Sequence, residues 1–220
     1  FSKLIRELTV AAKLGGPEPG DNPRLRLALD KALGANMPKD TIERAISRGS
    51  GDQEAENLEE TIYEGYGPNG VAIIVETLTD NKNRTVAEVR HAFSKYGGSL
   101  GTDGSVAYLF TKVGQIVVEN SDEEKIFDIS VSNGADEVEI GDENNLIISV
   151  EAEEFHNLKN VLEEQQIKIN QYELIMKASN SVELDDEASE KVISLLESLE
   201  DLDDVQNVHS NAEFSEGSFT

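Results

Sequence analysis

The sequence predicts an α+β chain: an N-terminal three-helix basic domain followed by two ferredoxin-like α/β sandwich domains, one inserted in the other. Three observations lead there. Apolar residues recur at helical spacing through residue 50, and strand-like runs take over from residue 58. Between residues 113 and 178 the elements follow the order β-α-β-β-α-β, the ferredoxin-like arrangement, which closes on itself. The expected domains are residues 1–53, residues 54–112 together with 180–220, and residues 113–179.

Residues 2–14 read as the first helix, with Ser2 as its cap and Leu4, Ile5, Leu8, Ala11 and Ala12 on one face. Arg6 and Lys13 fall opposite that face. Gly15-Gly16 ends the helix and PEPGD forms a loop. Asn22-Pro23, a capping residue followed by Pro at the first helical position, starts a second helix with a stripe of Leu25, Leu29, Ala32 and Leu33. Its cations are Arg24, Arg26 and Lys31, of which Arg24 and Lys31 share a flank. Pro38 starts the third helix. There Ile42, Ala45 and Ile46 face inward, Lys39 lies in the first turn, Arg44 and Arg48 point away, and Gly49 is the stop.

After the polar stretch GSGDQEAEN the period changes. Two strands joined at Gly67-Pro68-Asn69-Gly70 form a hairpin. A helix follows, with Val86, Val89, Ala92 and Phe93 at helical spacing and Gly97-Gly98 at its end; SVAYLFTK reads as the next strand. In the inserted domain GQIVVE leads to a helix capped by Ser121. Then come ADEVEI, a turn at GDENN, LIISV, a helix over EAEEFHNLKNVLEEQQ, and NQYELIMK. A helix carrying Val192, Ile193, Leu195, Leu196 and Leu199 and the strand VQNVHS remain. Neither can bury its apolar face alone, so both are expected to return to the sheet begun near residue 58.

Charge divides the chain sharply. The net charge is -25, yet residues 1–50 carry 9 Lys and Arg against 6 Asp and Glu, a net of +3. The remainder carries 10 against 38, a net of -28. A locally basic segment on an acidic body suits an anionic partner held at one end. The same pattern also describes amphipathic helices with solvated outer faces.

Signatures of chemistry are sparse. With no cysteine, disulfides and thiolate metal sites are excluded, and a reducing, cytoplasmic setting is favoured. No apolar run approaches the roughly 20 residues that span a bilayer. GGPEPGDN lacks the Lys-Ser/Thr of a phosphate loop, and GGSLGTDG follows a helix where a dinucleotide fingerprint would follow a strand. His91, His156 and His209 are far apart, and the acidic runs ELDDE and DLDD read as solvated helix ends. No enzyme activity, metal or cofactor is expected. Asn81, Lys82, Asn83 and Arg84 cluster where a strand hands over to a helix, a suitable phosphate site and equally an ordinary Asn cap; Arg90 lies further along that helix.

FSKLIRELTVAAKLGG, NPRLRLALDKALGANMPKDTIERAI, YEGYGPNGVAIIVETLTDNKNRTVAEVRHAFSKYGGSLGTDGSVAYLF and DVQNVHSNA resemble the YebC family of bacterial and mitochondrial regulatory proteins. The resemblance runs in order over essentially the whole chain. It implies three domains and a nonenzymatic role in gene expression. For bacterial members that role is DNA-binding transcriptional regulation, with links to translation on ribosomes; for mitochondrial relatives it is translational activation. Members usually begin with further basic and aromatic residues, so a segment is expected to precede Phe1 in the native protein. The expected partner is nucleic acid, either duplex DNA or ribosomal RNA, with no membrane or small-molecule substrate and a monomeric chain. The candidate contacts are Arg6, Lys13, Arg24, Arg26, Lys31, Lys39, Arg44, Arg48, Lys82, Arg84 and Arg90.

Overall fold

The computed structural model describes residues 1–51 and 57–219. The expected boundary at residues 53 and 54 lies outside them. The helices α1 (Ser2–Gly15), α2 (Pro23–Gly34) and α3 (Lys39–Ser50) come first. They are followed by β1 (Glu59–Tyr66), β2 (Ala72–Thr79), α4 (Lys82–Lys95) and the two-residue β3 (Ser99–Leu100). Next are β4 (Phe110–Glu119), α5 (Glu123–Ser132), β5 (Ala135–Ile140), β6 (Asn145–Glu151), α6 (Phe155–Glu164) and β7 (Ile169–Ala178). The chain continues through β8 (Val182–Glu183), α7 (Asp186–Glu200), β9 (Val205–Ser210) and β10 (Ala212–Glu213). It packs as two compact units: Phe1–Tyr108 with the chain from Asn180 onward, and Leu109–Ser179.

In the first unit, leucine and alanine side chains of α1, α2 and α3 make one small core of Leu8, Ala11, Leu25, Ala28, Ala32, Met37, Ile42 and Ala45. Leu33, expected in the α2 stripe, is 54% exposed. It sits at the rim of the stripe, so the smaller Ala28 and Ala32 make the close contact instead. Asn22 does more than cap α2. Its side chain accepts from the Leu25 N–H and donates to the carbonyls of Ala11 and Gly16, tying the end of α1 to the start of α2. Phe1, not Ser2, occupies the cap position of α1.

Gly49 does not stop α3, which runs on to Ser50. It lies under α1, where a β-carbon would come 2.1 Å from the carbonyl oxygen of Thr9. A glycine at this helix crossing lets α1 and α3 approach more closely than any side chain permits.

The sheet of this unit has the order β3-β1-β2-β9 with every pairing antiparallel. The hairpin closes at Asn69 and Gly70, both at positive φ (61° and 76°), as the Pro-Asn-Gly signal requires. Helices α4 and α7 cover one face, burying Val71, Ile73 and Val75 of the sheet side against Val89, Phe93, Val192, Leu195 and Leu199. α7 and β9 thus do return to the sheet begun at β1. Val10 of α1 packs with Leu58 and Leu78, which attaches the helical layer to the same sheet.

The second unit is a four-stranded antiparallel sheet of order β5-β6-β4-β7, the ferredoxin-like order for its β-α-β-β-α-β sequence. Helix α5 is capped by Asp122, whose carboxylate accepts from the Lys125 N–H, rather than by Ser121. α6 is shorter than its sequence signal: Glu151 belongs to β6, residues 152–154 form a turn, and the chain leaves the helix after Glu164, with Gln166 at a φ of 58°.

SVAYLFTK is a strand only from Phe110 onward. Ala107–Leu109 forms a 3-10 turn, because the N–H groups of Gly104, Val106 and Ala107 are taken by the carboxylate of Glu64 rather than by a neighbouring strand. Glu64 is buried; burial disfavours its charge, but the three backbone donors outweigh that and hold its pKa below the usual carboxylate value.

Gly49→Ala is expected to destabilise the chain by about 1–3 kcal/mol through overpacking against Thr9. Urea denaturation followed by circular dichroism checks this; an unchanged midpoint would mean α1 and α3 can separate at little cost.

Candidate nucleic-acid interface

Three of the eleven candidate cations, Arg6, Arg24 and Arg84, are held by carboxylates from distant parts of the chain, although the Arg84 side chain remains 41% exposed. Asp204, the residue before β9, holds two of them. It lies in the DLDD run read as solvated, yet its side chain is only 1% exposed. Its Oδ1 accepts from Arg6 Nη1 at 3.0 Å and from Arg84 Nη2 at 2.8 Å. Its Oδ2 accepts from Arg84 Nε at 3.1 Å and from the Thr85 hydroxyl at 2.7 Å. Arg84 therefore forks across both oxygens, while Arg6 reaches in from α1. The Thr79 hydroxyl lies 2.8 Å from that of Thr85 and accepts from the Asn81 N–H, so the network extends to the end of β2.

Burial alone would raise the pKa of Asp204. The hydrogen bonds from Arg84, Thr85 and Arg6 reverse this and bring it down to about 2. Arg6 Nη1 also donates to the carbonyls of Leu78 and Asp203, and Arg84 Nη2 to Asp80 at 2.7 Å. Lys3 donates to the Glu200 carbonyl and Gln206 donates to the Lys3 carbonyl, so the first turns of α1 are fastened to the end of α7 and the start of β9. The face of α1 opposite its apolar stripe is thus a contact with the sheet as far as Val10, where the sequence suggested an outer face for Arg6.

Arg24 is similarly engaged. Its Nε donates to Glu7 Oε1 at 2.7 Å, and its Nη2 pairs with Glu60 on β1 at 2.5 Å. Burial works against its charge, but the two carboxylates outweigh that and raise its pKa. Arg26 is half-buried, with its Nε sealed from solvent and without a hydrogen-bond acceptor.

The remaining cations are exposed: Lys13, Lys31, Lys39, Arg44, Arg48, Lys82 and Arg90. Lys82 pairs with Glu59 at 2.6 Å, which raises the lysine pKa and lowers that of the glutamate. Lys13 also acts on Glu59, so the end of α1 and the start of α4 bring two lysines to one carboxylate. On α3 the cations alternate with acids: Arg44 pairs with Asp40 at 3.2 Å and Lys39 lies 4.0 Å from Glu43, both at i,i+4 spacing. Lys13, Lys31 and Arg90 have no ion-pair partner within 4 Å among the described residues. Asn81 caps α4 by accepting from the Arg84 N–H, so the cap reading of NKNR holds.

Among the described residues, no group of three or more His, Asp or Glu is placed to hold a metal ion, and no helix is long and apolar enough to cross a membrane. Asp204 is not identifiable from the sequence. A buried aspartate in an acidic run has the same local signature as its solvated neighbours, and its partners lie 120 and 198 positions away.

These features define a class: a small helical module with exposed cations, fixed by a buried carboxylate to an antiparallel α+β sandwich. The chain belongs to the TACO1/YebC family. Residues 1–52 match the TACO1/YebC protein N-terminal domain, and residues 58–212 match the TACO1/YebC second and third domain. A protein of Pseudomonas putida named a probable transcriptional regulatory protein is 54% identical over 217 residues, covering 98% of this chain and 88% of the relative. A Coxiella burnetii protein with the same name is 54% identical over 98% of this chain and 89% of its own length. The crystal structure of a conserved hypothetical protein from Aquifex aeolicus superposes with a TM-score of 0.88 at 48% identity, covering 98% of this chain and 90% of the other.

Asp204→Asn is expected to cost about 2 kcal/mol, the usual worth of hydrogen bonds to a buried charged group, while Arg6 and Arg84 stay part-exposed and keep their other acceptors. The sign with pH follows from a depressed folded-state pKa. The contribution of Asp204 is complete above the ordinary aspartate value of about 3.8 and is lost as pH falls toward about 2. Thermal melts between pH 2 and 7 check both points: the variant's deficit is expected to be largest near neutrality and to shrink in acid. A deficit that does not change with pH would contradict the assignment.

Proposed function

We propose that this chain is a nucleic-acid-binding regulator of gene expression, and that its helical layer and α4 contact phosphates. The observation that carries this reading is the set of exposed cations on the helices of a chain whose net charge is otherwise strongly negative. The names of the relatives support the regulatory part. The contacts are Lys13, Lys31, Lys39, Arg44, Arg48, Lys82 and Arg90. Ion pairs such as Arg44–Asp40 and Lys82–Glu59 are solvent-exposed and contribute little, so a phosphate can replace the carboxylate. Arg6, Arg24 and Arg84 hold the module in place and support binding indirectly.

A duplex-DNA regulator is one form of this reading. Recognition of structured RNA is the other, and the distribution of the cations favours it. They are spread over four helices rather than gathered on one that could enter a major groove, which suits reading of shape and phosphate positions.

Charge reversal tests the shared claim. Lys13→Glu, Lys31→Glu, Arg44→Glu and Arg48→Glu combined are expected to leave the circular dichroism spectrum intact and to weaken binding to a duplex DNA or structured RNA by about a hundredfold. The slope of log K against log salt is expected to fall by about 0.9 for each duplex phosphate that the variant no longer neutralises, or about 0.7 for single strands. Arg24 is left out of this set because reversing it would place three carboxylates together at Glu7 and Glu60. Unchanged affinity and slope would remove the helical layer from the interface.

A further inference from the structure

The unit Leu109–Ser179 carries 16 Asp and Glu against 5 Lys, a net of -11 with His neutral. The middle of its helix-bearing face is well covered, with Ile116, Val118, Leu146, Ile148 and Val150 buried. The β5 edge is not. Phe127 and Val131 on α5 are 50% and 51% exposed, and Ile140 on β5 is 75% exposed. Ile140 pairs with Leu146, which places it on the helix-bearing side of the outermost strand.

Phe127 and Val131 are one turn apart, and Glu123 and Glu124 precede them on the same flank of α5. Ile126 and Ser130 face the core instead. Lys125, the one cation of α5, lies about 140° round from this flank. The flank therefore presents two aromatic or branched apolar side chains beside two carboxylates, with the exposed Ile140 on the adjoining edge strand.

We propose that this flank docks a basic amphipathic polypeptide segment, whose Lys or Arg side chains meet Glu123 and Glu124 while its apolar residues cover Phe127, Val131 and Ile140. Charge complementarity selects this occupant. Nucleic acid would be repelled by a unit of net -11, and the same flank of a second copy, which carries the same charge, would be repelled as well. Three exposed apolar residues exceed what carboxylates alone would need to attract a cationic chain, and they set the requirement that the partner be amphipathic.

The test uses the full chain and two synthetic 16-residue peptides of equal charge, one of Lys and Leu with helical amphipathicity and one of Lys and Ser. The Lys/Leu peptide is expected to bind at least tenfold more tightly and to shift the NMR signals of Phe127, Val131 and Ile140 first. Phe127→Ser with Val131→Ser is expected to remove that tenfold preference. Glu123→Gln with Glu124→Gln, which leaves the apolar residues in place, is expected to weaken both peptides and flatten the salt dependence. Equal affinity for the two peptides, or shifts scattered over acids elsewhere, would overturn the proposal. So would concentration-dependent self-association that Phe127→Ser abolishes, which would give the flank to a second copy, or the same signals shifting with an oligonucleotide.

Discussion

A carboxylate buried to 1% exposure needs partners that outweigh its loss of water, and Asp204 obtains them from two distant parts of the chain. Arg84 and Thr85 come from α4, and Arg6 comes from α1. Satisfying that one group requires α1 to lie across the end of the sheet. Once it does, Val10 meets Leu58 and Leu78, Lys3 reaches the end of α7, and Arg24 comes within reach of Glu60. The helical layer is thus a fixed part of the first unit, joined to the sheet by charge as well as by apolar contact.

This arrangement changes the meaning of the basic segment. Its net of +3 suggests a cationic surface, but Arg6 is turned toward the buried Asp204 and Arg24 is paired with Glu7 and Glu60. The candidate cations left exposed, Arg84 apart, form a sparser set on α1, α2 and α3, joined by Lys82 and Arg90 on α4. On the proposed reading, a rigid support settles the spacing of these cations before any phosphate is bound. The strong negative charge elsewhere discourages polyanions from other faces.

Much of this fold is legible in the sequence because its signals are local. The Asn22-Pro23 cap, the Pro68-Asn69-Gly70 turn and the periodic apolar residues of α1, α3 and α4 each specify structure within a few residues. The alternation of strands and helices from residue 113 to 178 is a sum of such signals. What is not legible depends on contacts across the chain. Gly49 reads as a helix stop, and only the approach of Thr9 shows it to be a packing residue. Ser105–Leu109 has the composition of a strand, and Glu64 withdraws its N–H groups. In the candidate interface the identity of the cations is readable, while the engagement of Arg6 and Arg84 depends on an aspartate nearly 200 positions from Arg6.

Ultraviolet crosslinking of the full chain in its own cells, with the attached nucleic acid sequenced and the crosslinked peptides identified by mass spectrometry, tests the central claim most directly. The account predicts crosslinks on peptides spanning residues 13–48 and α4, with either discrete promoters or ribosomal RNA recovered on them. Crosslinks confined to residues 109–179, or an absence of crosslinked nucleic acid altogether, would contradict it.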